Sequence, residues 1–315
     1  MPIVPASVAI ALGLALGVRQ FAAWRRERAF ERLLPRGDDG IIRGAEPVEY
    51  EGTGRGAVLL LHGFGDTPQA MRDLAAALAA RGWTARAALF PGHGRALPDF
   101  ARSRAEHWIA HARRELETLR ARHEAVHLVG LSMGGAIAAI LAAEDAEAGR
   151  DVRSLALLAP YVDMPRPVRR LARSHRLFTP FVPYAAGRSD RSIHDPEAAA
   201  RTLGYGVLTP RLLRELLVVV ERAHDALPRV AAPTLWVQSV HDNRLAPQSA
   251  RVGFDRLGAG EKRMEWLDAC GHVITVDFEH ERVSGLVAEW LESHAAGRAT
   301  SGSAALAPPR PAGTI

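Results

Sequence analysis

Apolar positions along this chain recur in two alternating rhythms. Short continuous runs, Ala57-Val58-Leu59-Leu60-Leu61 and Ala125-Val126-His127-Leu128-Val129 among them, predict buried strands. Residues 84–90 and 152–158, Thr234-Leu235-Trp236-Val237-Gln238-Ser239 and Arg263-Met264-Glu265-Trp266-Leu267 predict four more. Between them the spacing turns helical: residues 69–81 carry Met71, Leu74 and Leu78, and residues 102–122 carry Trp108, Ile109, Leu116 and Leu119. The small-residue run after Gly135 and a closing stretch from about 281 to 292 predict two further helices. Parallel neighbours cannot be joined by a hairpin, so this alternation predicts an α/β fold, a mostly parallel doubly wound sheet, over residues 41–293.

The rhythm breaks across 160–229. Pro160, Pro165, Pro167, Pro180, Pro183 and Pro196 punctuate a stretch holding Phe178, Phe181, Tyr184, Tyr205 and an apolar helix around 212–220. That segment predicts an inserted helical lid. At the start, residues 3–18 are uncharged and as a helix span ~24 Å; extension to Trp24 passes only Arg19 and reaches ~33 Å, near the ~30 Å hydrocarbon core of a bilayer. Arg25, Arg26 and Arg28 follow at once, with no positive flank before the run. This asymmetry opposes a cleaved signal and predicts that residues 1–24 form a membrane anchor with the domain of residues 41–293 on the cytoplasmic side. Without the anchor the expectation is a cytoplasmic protein. Residues 295–315, rich in Gly, Ala, Pro and Ser, predict a disordered tail.

Composition narrows the class. With 48 % hydrophobic and 24 % charged residues over 315 positions, the chain reads as globular. The net charge of +5 comes almost wholly from arginine, Lys262 being the sole lysine, and the basic residues are scattered without interleaved aromatics. Nucleic-acid binding is therefore not expected. Cys270 is the sole cysteine, which excludes an intrachain disulfide and reads best as a small buried hydrophobe.

The chemistry centres on Gly130-Leu131-Ser132-Met133-Gly134, a G-x-S-x-G string between a strand and a helix. A serine must be deprotonated to attack, and the base needs an acid to fix its tautomer. In a doubly wound sheet both partners belong just past later strands, where Asp242 and His272 lie. Asp163, after the preceding strand, is the rival acid. The two backbone N–H groups of an oxyanion hole are expected from Met133, after the nucleophile, and from Phe64 in His62-Gly63-Phe64-Gly65, whose ring could also line an acyl pocket. His123-Glu124-Ala125-Val126-His127 matches a zinc-binding string, but it runs from a helix end into a strand, so its histidines do not share a helical face. His107 and His111 lack a third ligand at matching spacing.

These residues resemble the α/β-hydrolase superfamily and, within it, bacterial carboxylesterases and monoacylglycerol lipases. The resemblance runs from about residue 57 to 291 through His62-Gly63-Phe64-Gly65, Pro91-Gly92-His93-Gly94, the Ser132 elbow, Ala232-Pro233-Thr234 with Asp242, and Gly271-His272-Val273-Ile274-Thr275. It implies a Ser132, Asp242, His272 triad, Phe64 and Met133 as oxyanion donors, and the 160–229 insertion as a cap. It further implies short- to medium-chain acyl esters or monoglycerides as substrates, with no metal and no organic cofactor. Acyl transfer, thioester hydrolysis, peptidase activity and non-catalytic ligand binding on the same fold are the alternatives. Oligomeric state is not legible.

Overall fold

Every strand expected from the apolar runs pairs in the computed structural model, which describes residues 6–150, 152–187 and 192–295. In chain order the strands are β1 Val48–Tyr50, β2 Ala57–Leu61, β3 Thr84–Ala88, β4 Val126–Leu131, β5 Leu155–Leu158, β6 Ala185–Ala186, β7 Val207–Leu208, β8 Thr234–Ser239 and β9 Lys262–Leu267. The main sheet has seven, ordered β1-β3-β2-β4-β5-β8-β9, parallel throughout except for β1. β6 and β7 form a separate antiparallel pair.

The helices are α1 Ala6–Leu33, α2 Arg72–Ala80, α3 Leu97–Arg102, α4 Ala105–Arg120, α5 Met133–Glu147, α6 Arg166–Arg173, α7 His175–Phe178, α8 Pro196–Arg201, α9 Pro210–Ala226, α10 Pro247–Asp255 and α11 His280–Ser293. Strand side chains alternate between two cores, as the two-residue pleat requires. Leu59 and Leu61 of β2, Leu128 of β4, Leu155 and Leu157 of β5 and Trp236 of β8 meet α4, α5 and α9 on one face. Val58 and Leu60, Val129 and Leu131, Ala156 and Leu158, Leu235 and Val237 meet α2 and α11 on the other. Burial on both faces explains why these strands read as continuous apolar runs. Truncating a fully buried side chain such as Leu59 to alanine costs about 2–5 kcal/mol.

α5 is buried from Met133 to Ala143, wedged between the sheet and α9. Its small residues allow that approach. Between β5 and β8, α9 lies in the same core through Leu212, Leu213, Leu216 and Leu217 and serves as the crossover helix. The rest of the insertion, α6 to α8 and the β6/β7 pair, reaches that core through Ala172 of α6 and Val207 of β7.

α1 continues beyond Trp24 to Leu33 and includes Arg19, Arg25, Arg26, Glu27 and Arg28. Among the described residues no helix is long and apolar enough to cross a membrane, so the expected anchor finds no support there. The start of its apolar run, in residues 1–5, lies outside the described residues, as does nearly all of the expected disordered tail, residues 296–315.

Candidate active site

β4 delivers Ser132 to a turn that only glycine neighbours permit. Its φ of 53° and ψ of −116° place a non-glycine residue in a strained region. A Cβ on Gly134 would lie 2.1 Å from the Leu61 carbonyl oxygen, and one on Gly130 would lie 2.4 Å from that of Gly134. Strand and helix therefore cross too closely for any other side chain, and the turn holds Ser132 at the head of α5.

His272 arrives on the loop after β9. Its Nε2 lies 2.7 Å from Ser132 Oγ and its Nδ1 lies 2.8 Å from Asp242 Oδ2. An ionised carboxylate only accepts, so Nδ1 carries the proton and Nε2 receives the Ser132 hydroxyl hydrogen. Asp242 also accepts from Gln238 Nε2 at 2.6 Å and from the backbone N–H groups of Arg244 and Leu245 at 2.7 and 3.0 Å. Burial acts to raise its pKa, but the His272 charge and these hydrogen bonds outweigh it and hold the carboxyl below the usual range. Gln238 is oriented in turn by the Trp236 indole N–H, which donates to its Oε1 at 3.2 Å. The rival acid is engaged elsewhere: Asp163 accepts from Arg169 and from Ser249 at 2.9 and 3.0 Å.

The His272 loop is clamped from the insertion. The Ser192 carbonyl accepts from the His272 and Val273 N–H groups at 2.8 and 2.9 Å. Asp277, fully buried, accepts four backbone N–H groups, from Gly271, His194, Asp195 and Phe278. Both residues escaped the sequence reading, because nothing in composition or spacing distinguishes an aspartate that organises backbone from one on the surface.

Opposite Ser132 stands the loop after β2. Met133 is the first residue of α5, where an N–H has no intrahelical partner. No hydrogen bond engages the Phe64 N–H among the described residues. The Phe64 ring is turned toward the core, with ring centroids 5.3 Å from Phe100 and 5.9 Å from Trp108. His62 orients the loop: its Nε2 accepts from the Phe90 N–H at 3.2 Å, so its Nδ1 donates to the Gly63 carbonyl at 2.9 Å. Burial lowers its pKa to about 3 and keeps it neutral. Tyr205 ties the loop to the insertion, its N–H donating to the Gly65 carbonyl at 2.8 Å. Its hydroxyl accepts from the Arg95 N–H at 2.8 Å and reaches the carbonyls of Gly92 and Arg95. Asp66 follows Gly65, close enough for His272 to act on its charge; burial nevertheless raises its pKa to about 6.

The remaining candidates sit apart. His127 packs against Trp83 with ring centroids 4.8 Å apart and bonds Ser154 at 2.8 Å, while His123 lies in the turn after α4. His111 faces Glu115 at 3.5 Å. Cys270 is buried, its thiol pushed up to about 12 by that burial.

A mostly parallel seven-stranded sheet, with a serine on a strained strand-to-helix turn and Asp and His from later loops, defines an α/β-hydrolase. The chain belongs to the Hydrolase_4 family, serine aminopeptidase S33, whose sequence model matches residues 52–279. It is thus a serine hydrolase of the α/β-hydrolase class with lipase and esterase relatives. It is 28 % identical over 255 residues to the thermostable monoacylglycerol lipase of Bacillus sp. (strain H-257), covering 81 % of this chain and 97 % of that protein. It is 27 % identical over 249 residues to a carboxylesterase of Bacillus subtilis (strain 168), covering 78 % and 96 %. Among solved structures it is similar to that reported for the metagenome-derived lipolytic enzymes LipS and LipT, with TM-score 0.73, 28 % identity, and coverage of 81 % of this chain and all of that one. The fold is shared with the Paleococcus ferrophilus monoacylglycerol lipase at TM-score 0.68 and 23 % identity, over 79 % and 98 % of the two chains.

Proposed function

We propose that this protein hydrolyses carboxylic esters, short- to medium-chain acyl esters or monoacylglycerols, through an acyl-enzyme on Ser132. Ser132 Oγ attacks the acyl carbonyl as His272 Nε2 takes its proton, and Asp242 stabilises the imidazolium that forms. The N–H groups of Phe64 and Met133 hold the oxyanion, each worth about 2.7–4 kcal/mol of barrier. Collapse breaks the acyl carbon–oxygen bond, and His272 returns the proton to the leaving alcohol. Water, deprotonated by the same imidazole, then cleaves the acyl-enzyme and frees the acid. No step calls for a metal or an organic cofactor.

The observation that carries this reading is the continuous chain of bonds from Ser132 Oγ through His272 to Asp242 at 2.7 and 2.8 Å. The lipase and carboxylesterase relatives support the choice of esters over other acyl compounds. The test is a panel of p-nitrophenyl and monoacylglycerol esters, with matched thioesters, amides and an alcohol acceptor, against wild type and Ser132→Ala. Ester hydrolysis that leads the panel and vanishes in the variant is expected. Esters cleaved no faster by wild type than by the variant, or amides cleaved in preference, would overturn it.

A further inference from the structure

α1 is built inside out. Its less exposed positions recur at helical spacing and are Arg19, Ala23, Glu27, Phe30 and Glu31. Through them it is docked: the Phe30 ring stacks on Tyr205 at 5.0 Å, and Glu27 Oε1 accepts the Tyr184 hydroxyl at 2.7 Å. The opposite face carries Leu14, Val18, Phe21 and Trp24, between 52 % and 70 % exposed and spaced by three or four residues, hence on one stripe. A surface helix in water shows the reverse order, polar outward and apolar inward. Leu16 and Leu33 are exposed elsewhere on the helix, but four of its six exposed large apolar side chains share the outer stripe, which indicates something apolar that covers it.

We propose that this outer face of α1 docks in the plane of a lipid surface bearing anionic headgroups. Two observations select that occupant. The stripe passes directly from Phe21 and Trp24 into Arg25 and Arg28, the order of an aromatic belt followed by basic residues at headgroup level. Arg25 and Arg26 have no carboxylate partner among the described residues, Arg25 lying instead over the Phe21 ring at 6.0 Å. A second copy on the same stripe, lying parallel, would place these arginines against their own images, which charge repulsion disfavours. The insertion continues the pattern, because Phe181, 66 % exposed, stands three residues before Tyr184, the residue bonded to α1. An in-plane helix also accords with the lack of a membrane-crossing helix among the described residues.

The surface is independent of the proposed ester chemistry and is tested separately. The full chain is floated with phosphatidylcholine vesicles containing 30 % phosphatidylglycerol, and with pure phosphatidylcholine vesicles, at low and high salt. Wild type should bind the anionic vesicles at least tenfold better than the neutral ones, and high salt should reduce that preference. Phe21→Ser with Trp24→Ser should lower binding at least tenfold on both compositions; Arg25→Gln, Arg26→Gln and Arg28→Gln together should abolish only the anionic preference. Fluorophosphonate labelling of Ser132, equal in all three proteins, verifies folding of the variants. Equal flotation of the Ser variant and wild type, or no flotation of wild type on any vesicle, overturns the proposal. So does a lipid-free oligomer of wild type that the Ser variant dissociates, since the stripe then covers a second copy.

Discussion

The two halves of the site are held by different physical means. On the acid–base side, buried carboxylates organise everything near them: Asp242 takes four hydrogen bonds including that of His272, and Asp277 gathers four backbone N–H groups beneath the His272 loop. On the opposite side the nearby carboxylate, Asp66, accepts only from the adjacent Thr67 N–H. The Gly63-Phe64-Gly65 backbone is steered from behind by a neutral imidazole, His62, and by Tyr205. Moving a proton between fixed atoms calls for saturated, charged partners in a dry place. Stabilising a charge that exists only in the transition state calls for donors left unpaired until then, so their supports must act at one remove.

The largest expected effect removes the acid–base side. Asp242→Asn should lower kcat for ester hydrolysis about 10⁴-fold with KM little changed, because the amide favours the wrong His272 tautomer. A loss under tenfold would break the proposed division of labour. Asp277→Ala leaves four backbone donors in a buried site without their acceptor and should cost about 2–4 kcal/mol of stability, read as a fall in the urea midpoint. His62→Phe, which keeps the ring volume but drops both hydrogen bonds, should lower kcat about tenfold while leaving the rate of Ser132 acylation by a fluorophosphonate less affected than Asp242→Asn does.

Asp66 gives the smallest effect and the finest test. Its carboxyl, pushed up to about 6 by burial, is anionic above that pH and then favours a protonated His272. Asp66→Asn should therefore move the acid limb of the kcat/KM profile to lower pH. The raised pKa also fixes a sign for stability: the native state binds the Asp66 proton more tightly than the unfolded chain, so this group stabilises fully below the ordinary aspartate range and loses that contribution as pH rises through about 6. Asp66→Asn should raise Tm by about 2 °C at pH 8 and not at pH 3, after discounting for the residue's partial contact with water. An unshifted acid limb would remove Asp66 from the electrostatics of the site.

Much of the fold was legible because five parallel strands buried on both faces are apolar at most positions, and the proposed set of Ser132, Asp242 and His272 was legible because each follows a strand end. Three features were not. β1 has only three half-buried residues at the sheet edge and no run to betray it. α10 carries little apolar pattern, with only Ala250 and Gly253 buried. α9 read as part of a lid, since nothing local shows that Leu212 to Val220 pack against α5 on one face of the sheet and complete the β5 to β8 crossover. Among the supports of the site, Ser192, Asp277 and Tyr205 act on main-chain groups up to 140 residues away and Gln238 through a side-chain bond to Asp242, and no motif records such contacts.

The central claim is that Ser132 is a nucleophile activated by His272. Peptide mass spectrometry after treatment with a fluorophosphonate tests it most directly, comparing wild type with His272→Ala at equal folded concentration. A single adduct on Ser132, formed rapidly in wild type and orders of magnitude more slowly in the variant, is the expected result. An unmodified Ser132 in folded wild-type protein, or labelling at the same rate without His272, would contradict it.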